Sequence, residues 1–308
     1  MKNFADLLIE HIQKKETALV VGLDPNPKYF PYFLLESDAT NEKVCRAILK
    51  FNKLVIDAVH EHVVAVKPQL AYYEVYGSLG IEVLEKTIEY ARLKNLIVIQ
   101  DAKRGDIGST SKAYAEAFLG TSKLSGDMVT VNPFLGSDGY MPFIETANKY
   151  GKGIFLLIKT SNPSSFEIQD LKLENGEILY TNMAKEINKL ALKTVGENNY
   201  SFIGAVVGAT YPEEAMKIRQ LMPHSIFLVP GLGVQGGKAE DMKAYFDEKG
   251  LGAVISSSRG ITYCYYSESN NDWKNITENS MLNEIAAATR SAKEQINDVR
   301  FSKLHQGY

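Results

Sequence analysis

Eight short apolar runs recur along the chain, and their repetition restricts the fold more than any single residue does. They read ALVVGLD (18–24), VVAVKPQ (63–69), LIVIQDAK (96–103), MVTVNP (128–133), GIFLLIKTS (153–161), FIGAVVGAT (202–210), IFLVPG (226–231) and GAVISSS (252–258). A run such as Leu96, Ile97, Val98, Ile99 lacks the alternation of a strand with one wet face, so it predicts a parallel strand covered on both sides. Most runs are followed by an amphipathic stretch at helical spacing: Val44, Ile48, Leu49, Phe51, Leu54, Val55 and Val59 after the first, and Ala215, Met216, Ile218 and Leu221 after the sixth. Eight strand-helix units in 308 residues predict an α/β fold, a (β/α)8 TIM barrel occupying residues 1–308 as a single domain. A doubly wound open sheet is the alternative. Its glycine-rich dinucleotide turn should follow the first strand, where this chain has Asp24-Pro25-Asn26-Pro27. Three longer polar stretches, 25–42, 162–178 and 262–280, read as extended βα loops, and the last is expected to be mobile or to pack at the surface.

Composition narrows the function classes. A hydrophobic content of 45% can fill a large core, while a net charge of −3 leaves no electrostatic footprint for nucleic acid, so any anion site should be local. No run approaches the roughly 20 apolar residues of a membrane span. The first residues place Phe4, Leu7, Leu8 and Ile12 on one helical face but include Asp6 and Glu10, which suits a packed helix rather than a targeting signal. Cys45 and Cys264 are too few and too distant for a disulfide framework, so free thiols and a cytoplasmic location are expected, where the sequon Asn275-Ile276-Thr277 would go unused. His60 and His62 do not share a helix face, and His11, His224 and His305 are scattered, so no metal site is expected. Neither a Gly-x-Ser-x-Gly elbow nor a Walker loop occurs, and Tyr263, Tyr265 and Tyr266 read as a packing cluster.

Barrel chemistry sits at the C-terminal ends of the strands, so the polar residues there form one candidate constellation. The first strand ends in Asp24, the second in Lys67, the third in Asp101 and Lys103 with Asp106 beyond, the fifth in Thr160 and Ser161, and the eighth in Ser258 and Arg259. Asp101 and Lys103 leave one face of their strand about 7 Å apart along the backbone. The cluster is either a salt-bridged strand end or a charged reaction centre. Lys67, likewise, either snorkels to solvent or is held by carboxylates in the barrel mouth. With Asp101 on the adjacent strand, an alternating Lys-Asp-Lys-Asp array becomes geometrically natural, since alternation lowers the cost of desolvating each charge. The stretches GLGVQGG (231–237) and SSSRG (256–260) follow the seventh and eighth strands, where barrels most often hold a phosphate, although tight turns use glycines too.

These segments, VGLDPNP, VKPQ, DAKRGDIGST, KTSNPSS, PGLGVQGG and SSSRG in that order, resemble the orotidine 5′-phosphate decarboxylase family, in particular its longer subfamily, across all eight strand ends. The resemblance implies a cofactor-free decarboxylation of orotidine 5′-monophosphate, with Lys67, Asp101, Lys103 and Asp106 as the catalytic tetrad and Lys103 as proton donor. It further implies that Asp24 binds ribose hydroxyls, Ser161 the pyrimidine, and Arg259 with Gln235 the phosphate. In the family, Asp106 and the residue matching Thr110 reach into the neighbouring subunit's site, which implies a homodimer with shared sites. The nearest rival is a magnesium-dependent sugar-phosphate decarboxylase or aldolase on the same barrel, which uses such acids to hold a metal; Lys67 argues against it, because an ammonium would compete with the ion.

Overall fold

The computed structural model describes residues 2–35, 39–210, 212–231 and 240–302. All eight expected strands form: β1 (Leu19–Leu23), β2 (Ala65–Pro68), β3 (Ile97–Arg104), β4 (Met128–Val131), β5 (Gly153–Lys159), β6 (Ser201–Val207), β7 (Ser225–Pro230) and β8 (Ala253–Ser257). Each pairs in parallel with its sequence neighbours, and β8 pairs back onto β1, so the sheet closes as the expected (β/α)8 TIM barrel. The unbroken apolar runs are explained by position. Every residue of β1, β2, β4, β6 and β8 is buried, between the barrel interior and the surrounding helices.

The helix Phe4–Lys15 lies across the foot of the barrel. Its N-cap Asn3 accepts from the Ala5 N–H at 2.9 Å, and its apolar stripe buries Phe4, Leu8, Ile9 and Ile12. Asp6, also buried, accepts from the backbone N–H groups of Glu197 and Asn198 ahead of β6, while Lys15 Nζ donates to the His60 and Val63 carbonyls ahead of β2. One helix thereby ties two strand entries together. At the seam, the helix Glu278–Ser302 packs on the helix Asn41–Val59, and Arg300 donates to the Gly250 carbonyl at 2.8 Å. No helix among the described residues is long and apolar enough to cross a membrane.

The long loops at the opposite end are ordered by their own contacts. In the stretch after β5, Gln169 accepts from the Thr160 N–H at 3.0 Å and donates to Thr160 Oγ1 at 2.7 Å, while Asp170 pairs with the buried Lys159 at 2.6 Å. In the stretch 262–280 the tyrosines pack as expected, and Trp273 joins them. Tyr263, Tyr265 and Trp273 are buried, with Tyr263 stacked on Phe51 at 5.3 Å and edge-on to Tyr265. Its polar residues, among them Ser269, Asn270 and Asn271, face outward, so an average over the segment conceals an apolar anchor.

Candidate active site

A cavity of about 600 Å³ opens at the C-terminal ends of the strands. Asp24, Lys67, Asp101, Lys103, Ser161 and Arg259 all line it, so six of the residues singled out from the sequence converge on one space.

Asp101 is the hub. It is 6% exposed, and its Oδ2 accepts from Lys67 Nζ at 2.7 Å and Gln69 Nε2 at 3.1 Å. Its Oδ1 accepts from Lys103 Nζ at 2.5 Å and Thr130 Oγ1 at 3.0 Å. Burial alone would raise the Asp101 carboxyl, but the ammonium groups of Lys67 and Lys103 outweigh it and hold the group well below the usual carboxylate range. Burial would likewise lower Lys67, yet the charges of Asp101 and Asp24 outweigh that and raise it. Both groups are therefore ionised at neutral pH. Lys103 differs in having a side chain 45% exposed, so its ammonium is held at one end by Asp101 and remains open to the cavity.

The backbone that presents Lys103 is unusual. The β3–β4 register shifts between Gln100 and Arg104, and Lys103 takes a φ of 44°, in the left-handed region that L side chains rarely occupy. Same-face placement of Asp101 and Lys103 survives, but through this local turn rather than regular pleating. Arg104 secures the far side by donating to the Ala102 carbonyl at 2.8 Å and pairing with Glu74.

Two glycines permit close approaches around the rim. A Cβ on Gly22 would lie 1.8 Å from Ser258 Oγ and 2.9 Å from its Cβ, so glycine lets the residue after β8 rest against β1 beside Asp24. A Cβ on Gly208 would meet the backbone of Ser161 at 2.7 Å. Asp24 Oδ1 is buried and accepts no hydrogen bond among the described residues, while its main chain is held by Tyr263: the phenol donates to the Asp24 carbonyl at 3.0 Å and accepts from the Asn26 N–H at 2.7 Å. Tyr263 itself lines the cavity, so it does more than the packing expected of it.

Other expected residues stand apart. Asp106 accepts from the neighbouring Ile107 N–H at 2.7 Å and Thr110 is exposed on the helix Gly108–Leu119; neither lines the cavity of its own chain. Gln235 lies outside the described residues. Among lining or supporting residues, Gln69, Thr130 and Tyr263 had no assigned site role from sequence, because each reaches the centre from a different strand or loop.

A charged triad bridging β2 and β3 at the mouth of a closed eight-stranded barrel is in keeping with the proteins that this chain resembles. The model of the orotidine 5′-phosphate decarboxylase / HUMPS family matches residues 17–265. A relative named orotidine 5′-phosphate decarboxylase from Caldicellulosiruptor saccharolyticus is 42% identical, covering 96% of this chain and 99% of its own, and one of that name from Rhodopirellula baltica is 40% identical with the same coverage. The crystal structure of a putative orotidine-monophosphate-decarboxylase from Toxoplasma gondii superposes with a TM-score of 0.81 at 32% identity, covering 100% of this chain and 99% of that one. On the length of that match and the identity of its relatives, the chain belongs to the orotidine 5′-phosphate decarboxylase / HUMPS family.

Proposed function

We propose that the chain decarboxylates orotidine 5′-monophosphate to uridine 5′-monophosphate, the closing step of pyrimidine nucleotide synthesis, as one TIM-barrel domain over residues 1–308. The observation that carries the mechanism is the Lys67–Asp101–Lys103 ladder, in which a buried carboxylate grips one ammonium on each oxygen. Loss of carbon dioxide breaks the bond between C6 of the pyrimidine and its carboxylate and leaves the electron pair on C6, in the ring plane where the π-system cannot spread it. Lys103 stabilises that charge with a preorganised ammonium and then delivers its proton to the same carbon, being recharged from solvent in the next cycle. Asp101 holds the amine in place through its Oδ1 at 2.5 Å.

The order of the strands supports a pose for the rest of the substrate. Arg259 follows β8, Asp24 follows β1, and Lys67 and Asp101 belong to β2 and β3, so phosphate, ribose and reacting carbon would follow consecutive strands around the rim, with Ser161 beyond β5 meeting the far edge of the base. Arg259 offers a forked guanidinium for the phosphate, joined by Gln235 from the loop after β7. The unpartnered oxygen of Asp24 suits a ribose hydroxyl donor. Phosphate binding far from the reacting carbon would supply binding energy for positioning.

Asp106 completes the tetrad from a second copy of the chain, with Thr110 beside it, in a homodimer with shared sites. Support comes from the surface around them: Ile107, Phe134 and Leu135 are 55%, 70% and 50% exposed, an apolar rim of the kind that pairs with another chain. The free thiols Cys45 and Cys264 support a cytoplasmic location. Against the magnesium-dependent reading, Lys67 Nζ occupies the coordinating side of Asp101 at 2.7 Å. Spectrophotometric loss of orotidine monophosphate with the purified protein in excess chelator is the expected outcome; turnover that needs added Mg²⁺, or turnover only of a hexulose or keto-gulonate phosphate, would overturn the assignment.

A further inference from the structure

We propose that Thr130 is a positioning residue for the proton-donating step, its single hydroxyl fixing the backbone of Lys103 and the carboxylate of Asp101 together. The proposal rests on the reading of Lys103 as the group that meets the carbanion. Thr130 stands on β4, is 1% exposed and does not line the cavity, so it acts only through its neighbours. Its Oγ1 accepts from the Lys103 N–H at 2.9 Å and donates to Asp101 Oδ1 at 3.0 Å, the same oxygen that accepts from Lys103 Nζ at 2.5 Å. The two ends of Lys103, amide and ammonium, are thus joined through Thr130 and Asp101 into one closed circuit.

The circuit explains how the left-handed backbone of Lys103 is sustained. Where the β3–β4 register shifts between Gln100 and Arg104, the Lys103 N–H leaves the regular ladder, and the threonine hydroxyl receives it in place of a strand carbonyl. A hydroxyl is suited to the position because it accepts on one side and donates on the other. Valine keeps the shape and does neither; serine keeps both hydrogen bonds.

The test compares kcat and KM on orotidine monophosphate, and uridine monophosphate affinity by titration, for the full chain and for Thr130→Val and Thr130→Ser. Loss of the hydroxyl should lower kcat by about 10- to 100-fold, the effect of a displaced reacting group, while nucleotide affinity changes by less than about twofold and the serine variant stays within about threefold of the parent. Thr130→Ala, which also lacks the hydroxyl, serves if the valine variant does not fold. Equal losses in the serine and valine variants, an unchanged kcat in the valine variant, or a kcat loss matched by lost nucleotide affinity would overturn the proposal. A parent protein inert toward orotidine monophosphate would overturn the functional reading and this inference with it, whereas an active parent with an unimpaired valine variant overturns the inference alone.

Discussion

Asp101 is surrounded by more positive charge than it can neutralise, and that excess is its purpose: one carboxylate keeps Lys67 charged in the interior and aims Lys103 outward. Replacing it with asparagine leaves the buried Lys67 without the carboxylate it pairs with at 2.7 Å, so Asp101→Asn should lose about 3–5 kcal/mol of stability, read from the urea midpoint at pH 7. Because folding depresses the Asp101 carboxyl, its contribution is complete above its unfolded value near pH 4 and disappears as pH falls through the lower folded one. Lys67 is raised on folding, so its contribution is complete below its unfolded value near 10.4 and disappears as pH climbs through the higher folded one. The gap between parent and variant should therefore be widest from about pH 4 to 10 and close on further acidification. A variant as stable as the parent at neutral pH would contradict the buried-pair account. The Asp-x-Lys spacing made the approach of Asp101 and Lys103 legible from sequence, although the left-handed turn at Lys103, not regular alternation, brings the two side chains together. Thr130 and Gln69 were illegible because they arrive from flanking strands in a register that the sequence does not print, and the positive φ of Lys103 falls on a residue type that gives no warning of it.

At the scale of elements, the extended loops brace the rim. Gln169 grips Thr160 from both sides next to Ser161, and Tyr263 clamps the turn that carries Asp24. Tyr263→Phe keeps the ring stacked on Phe51 but loses both phenol hydrogen bonds, each worth about 1 kcal/mol. Steady-state kinetics should show KM for orotidine monophosphate rising about five- to tenfold with kcat changed far less, as expected for loosening a group that binds remote from the reaction. An unchanged KM would reduce Tyr263 to core packing. The strands were legible here because each is a short apolar run next to a polar end. In the loop 262–280 the tyrosine cluster was legible as packing, but the burial of Trp273 was not, because it stands alone among exposed polar residues without the period that reveals a helix or strand.

Across the whole molecule, closure of eight strands collects residues separated by more than 200 positions, Asp24 and Arg259 among them, at one end of the barrel. Eight repeated units sufficed to read that closure from sequence, because β8 must find β1 once the sheet curls. The partner's contribution is a different matter. Asp106 and Thr110 do not line the cavity of their own chain, and no pattern within one chain states what a second copy brings. If the sites are shared, mixing inactive Lys103→Ala with inactive Asp106→Asn and allowing subunit exchange should restore activity toward about a quarter of the parent's, since each mixed dimer contains one intact site. Failure to restore any activity after exchange would show that each site is built from one chain. The central claim, that a carboxylate-held ammonium meets the charge left on the pyrimidine, is tested most directly by the kcat of Lys103→Ala on orotidine monophosphate, with uridine monophosphate binding as the control for folding. The expected result is a fall of at least two to three decades, equivalent to about 3 kcal/mol or more, with the nucleotide still bound. Turnover within tenfold of the parent would contradict the account.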